Sequence, residues 1–172
     1  KTILEGRGIR YDEAAAALAA GGSRPLDALR RAEAVHALRT LPDFEPVTTA
    51  YKRAANILAQ ARQKGLWDDS VLRTPVGPPS EGWDPAEQTL AEALQAAREA
   101  TASLLDARDY PAALRRLVAL RGPVDGFFTA VMVMAEDPAV RGRRLGLLST
   151  LVSLFHQIAD FSKIVIDTPP AK

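Results

Sequence analysis

Apolar residues recur along this chain at spacings of three and four, the period of an amphipathic helix with one buried face. Residues 1–8 read as the tail of a helix cut short. An Ala-rich helix is expected from about Asp12 to Ala20, stopped by Gly21 and Gly22. From Ser23 a second helix sets Leu26, Leu29, Ala32, Val35 and Leu38 on one face until Pro42 ends it. A third, from about Pro46 to Lys64, gathers Val47, Ala50, Ala54, Ile57, Leu58 and Ala61 on one side. Lys52, Asn56, Gln60 and Gln63 fall on the other, and Gly65 closes the helix. Leu66 to Trp83, with its TPVGPPSEG stretch, is longer than connections in compact domains usually are and is expected to be mobile or draped over the surface.

Asp84-Pro85-Ala86-Glu87 has the chemistry of a helix start: a capping carboxylate, proline in the first turn and Glu three residues on. The helix behind it is expected to reach about Ala107 with Leu90, Leu94, Ala97, Thr101, Leu104 and Leu105 inward. A further start at Asp109 leads a shorter helix through Leu114, Leu117 and Leu120 to Gly122 and Pro123. A sixth helix carries Phe127, Phe128, Val131 and Met134. Asp137-Pro138 then caps a long seventh helix with Leu145, Leu148, Leu151, Val152, Phe155, Ile158 and Phe161 as apolar positions, and the tail DTPPAK is expected to be loose. With no strand-type alternation and no repeat at a solenoid period, the expectation is an all-α fold. It is a single helical bundle of about seven helices, one domain over residues 1–172.

Composition narrows the chemistry. The 172 residues are 47% hydrophobic and only 6% aromatic, as an Ala- and Leu-rich helical protein is. There is no cysteine, so disulfides and thiolate metal sites are excluded, and the two histidines, His36 and His156, are far apart without ligand spacing, so no metal site is expected. Formal net charge is +1, which removes the whole-domain signature of a non-specific nucleic-acid binder and makes any RNA contact local. Apolar runs are broken by charge before the roughly 18 residues of a membrane span. The opening KTILEGRGIRYD has no initiator Met and no signal pattern, so the chain is expected to be a piece of a larger polypeptide.

No catalytic constellation emerges. The GRG at Gly6 lacks the preceding strand, third glycine and lysine of a phosphate loop, and no Ser, Cys or carboxylate constellation accompanies either histidine. Phe127, Phe128, Met132 and Met134 have the spacing of core residues, although aromatic rings can also stack bases. Asp125 is a base reader or an early-turn acid on a helix dipole. Asp137 and Arg141 form an i, i+4 acid-to-base pair, with Arg143 and Arg144 clustered beside them. That corner is either a solvated helix end or an anion-binding surface. Lys52 and Asn56 share the polar face of the third helix, where an amide can bond an unstacked base or simply face water.

Pro123 to Lys163, PVDGFFTAVMVMAEDPAVRGRRLGLLSTLVSLFHQIADFSK, resembles the C-terminal end of the bacterial glycyl-tRNA synthetase beta subunit family. The shared pattern is D-x-F-F-x-x-V-M-V-M-x-x-D, then L-R-x-N-R-L-x-L-L, then L-F-x-x-V-A-D-x-S. It matches at Asp125, Phe127, Phe128, Val131 to Met134, Asp137, Arg141, Arg144, Leu145, Leu147, Leu148, Leu154, Phe155, Ala159, Asp160 and Ser162. YKRAANIL, Tyr51 to Leu58, is similar to the family's K-R-x-x-N-I-L and carries over Lys52, Arg53, Asn56 and Ile57. Arg143 stands where the family has Asn, and Thr129 where it has a second Asp. The tetrapeptide Asp27-Ala28-Leu29-Arg30 spells the name given to this domain type, but Asp137 to Arg141 is the better match to its pattern.

The resemblance implies an all-α anticodon-binding domain of class I-like synthetase type, with Lys52, Arg53, Asn56, Asp137, Arg141, Arg143 and Arg144 as tRNA-binding residues. It implies tRNA(Gly) as ligand and, through the rest of the beta subunit, partnership with an alpha subunit that activates glycine with ATP and Mg in a heterotetramer. This fragment would then need no cofactor, do no chemistry itself and act in the cytoplasm. The related arginyl-tRNA synthetase domain is a rival whose G-[IV]-x-x-P-x-x-M ending is absent from DFSKIVIDTPPAK. A helical protein-interaction module without RNA is a second rival, which the near-neutral charge favours.

Overall fold

The computed structural model describes residues 5–21, 24–68 and 79–167. Seven α-helices follow one another within them: α1 Tyr11–Ala19, α2 Pro25–Leu38, α3 Phe44–Gln63, α4 Pro85–Asp106, α5 Tyr110–Val118, α6 Arg121–Ala130 and α7 Pro138–His156. Single 3-10 turns lie at Glu5–Arg7 and Phe161–Lys163, and there is no strand among the described residues. Residues 69–78, at the middle of the expected 66–83 connection, and residues 168–172 of the tail lie outside the described residues.

The boundaries follow the capping chemistry. Asp84 accepts from the Ala86 amide at 2.8 Å while Glu87 accepts from the Asp84 amide at 3.0 Å, a reciprocal capping box. Asp109 and Asp137 cap the starts of α5 and α7 with one side-chain oxygen each. At the end of α3, Gly65 takes φ +66°, which lets the Leu66 amide reach the Ala61 carbonyl and the Gly65 amide that of Arg62, both at 2.9 Å.

α7 is the axis of the main core and packs on α3, α4 and α5. Leu145, Leu148, Leu151 and Phe155 are buried as expected, but so are Leu147 and Leu154, so the helix is enclosed on more than one side. Beyond His156 the chain leaves the helix, yet Ile158 and Phe161 stay buried. Phe155, Phe161 and Tyr51 of α3 form a cluster of rings with centroids 5.1–5.9 Å apart. A smaller cluster of Ile9, Ala14, Ala17 and Ala32 joins α1 to α2.

Three expected boundaries are corrected. α3 begins at Phe44, with Pro46 inside its first turn, and Gly122 and Pro123 open α6 instead of closing α5. Proline fits both places because first-turn amides have no helical acceptor to lose. α6 ends at Ala130, short of Met134: Val131 is extended (φ −122°, ψ 144°), Val131 and Val133 are buried, and Met132 between them is 74% exposed. The V-M-V-M run is therefore read with a period of two, as β-branched residues in an extended link favour.

Candidate nucleic-acid interface

The inner face of α3 is fixed by Val47, Ala50, Tyr51, Ala54 and Leu58, all buried. The Tyr51 hydroxyl donates to Asp160 at 3.3 Å, and Asp160 also accepts from the Ser162 amide and hydroxyl at 3.0 and 2.6 Å. The Asp160 and Ser162 of the shared pattern thus lock the chain after α7 against α3. That anchoring turns Arg53 and Asn56 to solvent, with Lys52 half-buried. The Arg53 guanidinium lies over the Phe128 ring of α6, 4.2 Å from its centroid. An open groove of about 380 Å³ runs beside this stack between α3, α6 and Ile166.

The corner at the start of α7 has a different character. Asp137 accepts from the amides of Ala139 and Val140 at 2.7 and 3.3 Å, whereas Arg141 donates to the carbonyls of Ala135 and Glu136 at 3.0 and 3.2 Å. The expected Asp137–Arg141 side-chain pair does not form, because capping takes the carboxylate and the turn's own carbonyls take the guanidinium. Arg143 and Arg144 both converge on Glu87, which is 0% exposed. Arg143 donates from Nε and Nη2 at 3.2 and 2.9 Å and lies over the Trp83 ring, 4.9 Å from its centroid. Arg144 donates through Nε to Glu87 and through Nη1 to the Met132 carbonyl at 2.7 Å. Burial pushes the Glu87 carboxyl up, but the hydrogen bonds from Arg144, Arg143 and the Asp84 amide outweigh it and hold the carboxyl below its ordinary value.

The seven sequence-derived residues thus divide. Lys52, Arg53 and Asn56 lie on α3, with Arg53 and Asn56 facing solvent, while Asp137, Arg141, Arg143 and Arg144 engage protein groups that fasten the start of α7. α6 and its extended exit link the two sets, with Phe128 under Arg53 and the Met132 carbonyl on Arg144. Asp125 sits in the middle of α6, exposed, with Arg121 at 3.7 Å.

Two features escaped the sequence reading. Asp12 and Glu13 of α1 are buried beside Arg39, which gives Nε to Glu13 at 2.7 Å, Nη2 to Asp12 at 2.8 Å and Nη1 to the Val165 carbonyl at 3.0 Å. Glu13 also pairs with His36 at 2.9 Å, and Asp12 accepts from the Val165 amide at 2.7 Å. Burial pushes the Asp12 carboxyl up, and the Val165 amide and Arg39 more than reverse it. Asp27 is also buried, accepting from the Tyr110 hydroxyl at 2.7 Å and Arg31 at 2.8 Å, so the Asp27–Arg30 tetrapeptide begins with a structural carboxylate. The only sequence signal for these was acidic residues at helix starts, which a dipole explains equally well. Among the described residues no His, Cys, Asp and Glu cluster could hold a metal ion, and no helix is long and apolar enough to cross a membrane.

The described residues thus form an all-helical bundle in which one long helix, α3, offers exposed arginine and amide groups beside an aromatic ring. Residues 47–166 match the DALR anticodon binding domain, and the chain belongs to that family. The matched region starts beyond Asp27–Arg30 and leaves α1 and α2 outside it. The chain is 42% identical over 156 residues to the glycine–tRNA ligase beta subunit of Anaeromyxobacter dehalogenans strain 2CP-C, covering 90% of this chain and 21% of that one. It is 41% identical over 163 residues to the beta subunit of Moorella thermoacetica, covering 95% and 22%. With that of Haemophilus influenzae it shares 44% over 155 residues, covering 90% and 20%. The chain therefore spans about a fifth of the length of the relatives it matches.

Proposed function

We propose that this chain is the anticodon-arm binding part of a glycine–tRNA ligase beta subunit, holding tRNA(Gly) while an alpha subunit, using ATP and Mg, aminoacylates it in the cytoplasm. The observation that carries the reading is the solvent face of α3 within the matched family region, where Arg53 is stacked on Phe128 and Asn56 is exposed. Single-stranded loop bases can be splayed onto such a face, with the amide reading a base edge and cations placing the phosphates. Lys52, Arg53 and Asn56 are the residues proposed to touch RNA. Asp137, Arg141, Arg143 and Arg144 are proposed to serve it by fixing the α4–α7 corner.

Filter binding with transcribed glycine tRNA and an anticodon-swapped control, at low and moderate salt, tests this. Binding is expected to prefer the cognate anticodon and to be weak, since a +1 chain releases few counterions. Equal binding to both, or none, leaves the protein-interaction module as the better reading. Asn56→Ala is expected to cost about 1–3 kcal/mol against the cognate tRNA and less against the swapped one, with an unchanged melting temperature. Arg144→Ala is expected to lower the melting temperature, because its partner Glu87 is fully buried.

A further inference from the structure

The groove between α3 and α6 has chemistry that general RNA binding does not require. Its α3 wall is a stripe of Glu45, Thr49 and Arg53 at four-residue spacing, its α6 wall is Asp125 and Phe128, and Ile166 closes one side. One face of the Arg53 guanidinium is covered by Phe128; Arg53 itself is exposed, so a planar ligand can stack on the other face. The two carboxylates make the groove hostile to phosphate. An ionised carboxylate is acceptor-only, so what such groups can recognise is an N–H donor. The Glu45 side chain has no ion-pair or hydrogen-bond partner among the described residues, whereas Asp125 has only the distant Arg121 contact.

A flat ring that brings amine donors on its edge satisfies both demands. We propose that this groove takes one unstacked RNA base bearing an exocyclic amine, stacked on Arg53 and read by Glu45 and Asp125. Uracil is disfavoured because a carbonyl oxygen takes the place of the amine and its one N–H lies between two oxygens that the carboxylates repel. The inference rests on the RNA-binding reading above and adds to it a place and a selection rule. Glycine codons begin with two guanines, so the anticodon loop of a glycine tRNA supplies cytosines, each with one such amine.

The test is a binding titration of the chain with a glycine-tRNA anticodon stem-loop and with versions carrying single cytosine-to-uracil replacements, each of which exchanges the amine for a carbonyl oxygen. Wild type is expected to bind the parent loop about tenfold more tightly than at least one replaced loop. Glu45→Gln and Asp125→Asn place an amide donor against that carbonyl, and at least one should reduce the ratio to about threefold or less. Removing a negative charge strengthens binding to every loop alike, so the ratio is insensitive to that effect. Both residues are exposed, and unchanged circular dichroism melts are expected. If both variants keep the wild-type ratio, the groove is not the base pocket, while the RNA-binding reading stands. If wild type binds no loop, or all alike, that reading fails and the inference with it.

Discussion

Glu87→Ala is expected to lower the free energy of unfolding by about 3–5 kcal/mol, the cost of removing one partner from a buried charge cluster. For a chain of this length that corresponds to a drop of about 10 °C in melting temperature, measurable by circular dichroism. The carboxylate closes the capping box on α4 and receives both Arg143 and Arg144, so its loss strips the α4 start and the α7 start of their common anchor. Glu87→Gln keeps an acceptor for the Asp84 amide and should cost less. Both variants also lose the pH dependence that the carboxylate supplies. The Glu87 carboxyl lies below its ordinary 4.5 in the folded chain, so its stabilisation is complete above about pH 4.5. As pH falls further the unfolded chain takes up the proton first, and stability declines until the folded carboxyl is protonated too. Glu87→Gln should therefore flatten the acid limb of a stability-against-pH curve. Asp12, Asp27 and Asp160 are held below their ordinary 3.8 and keep part of the slope. A loss under about 1 kcal/mol in Glu87→Ala would mean that the cluster is worth no more than a surface pair.

Arg39→Met is expected to cost about 3–5 kcal/mol in urea unfolding, again because charge is left buried without its partner. Glu13 would retain His36, and Asp12 would retain Arg10 and the Val165 amide, but the guanidinium shared between the two acids would be gone. Methionine keeps an apolar stem but removes, with the charge, the guanidinium that lies over the Phe44 ring, 5.0 Å from its centroid. The effect should reach the proposed RNA groove. Arg39 holds the Val165 carbonyl, and the next residue, Ile166, lines that groove. Hydrogen exchange at Val165 is expected to quicken in the variant. Full protection of that amide would show that Asp12 alone secures the segment.

The capping carboxylates explain why so much of the architecture was legible in sequence. Asp84, Asp109 and Asp137 act on amides two or three residues away, so their effect is written locally. The polar face of α3 was legible for the same reason, since 3.6-residue periodicity alone turns Asn56 outward. Met132 and its neighbours were misassigned because four apolar residues in a row satisfy a buried helix and an extended link equally, and only packing decides. Glu87 was recognisable as a capping residue but not as an acceptor for Arg143 and Arg144, because that role arises only when α4 and α7 pack together. The Asp12, Glu13 and Arg39 cluster and the Arg53–Phe128 stack were hidden for the same cause. In each, the partner's place in sequence carries no periodic mark.

The contacts between α1 and the segment after the last turn also set an order of events in folding. Asp12 reaches the Val165 amide across 153 residues, and Arg10 reaches Asp167 across 157. Loops of that length are closed late, since their ends lose entropy before any contact rewards them. During synthesis α1 and α2 leave the ribosome long before Val165 exists, and until then Asp12 and Glu13 stay hydrated beside an incomplete set of partners. The α1–α2 hairpin is then a clasp that closes on a nearly finished bundle. Damage to it should hasten unfolding far more than it slows refolding.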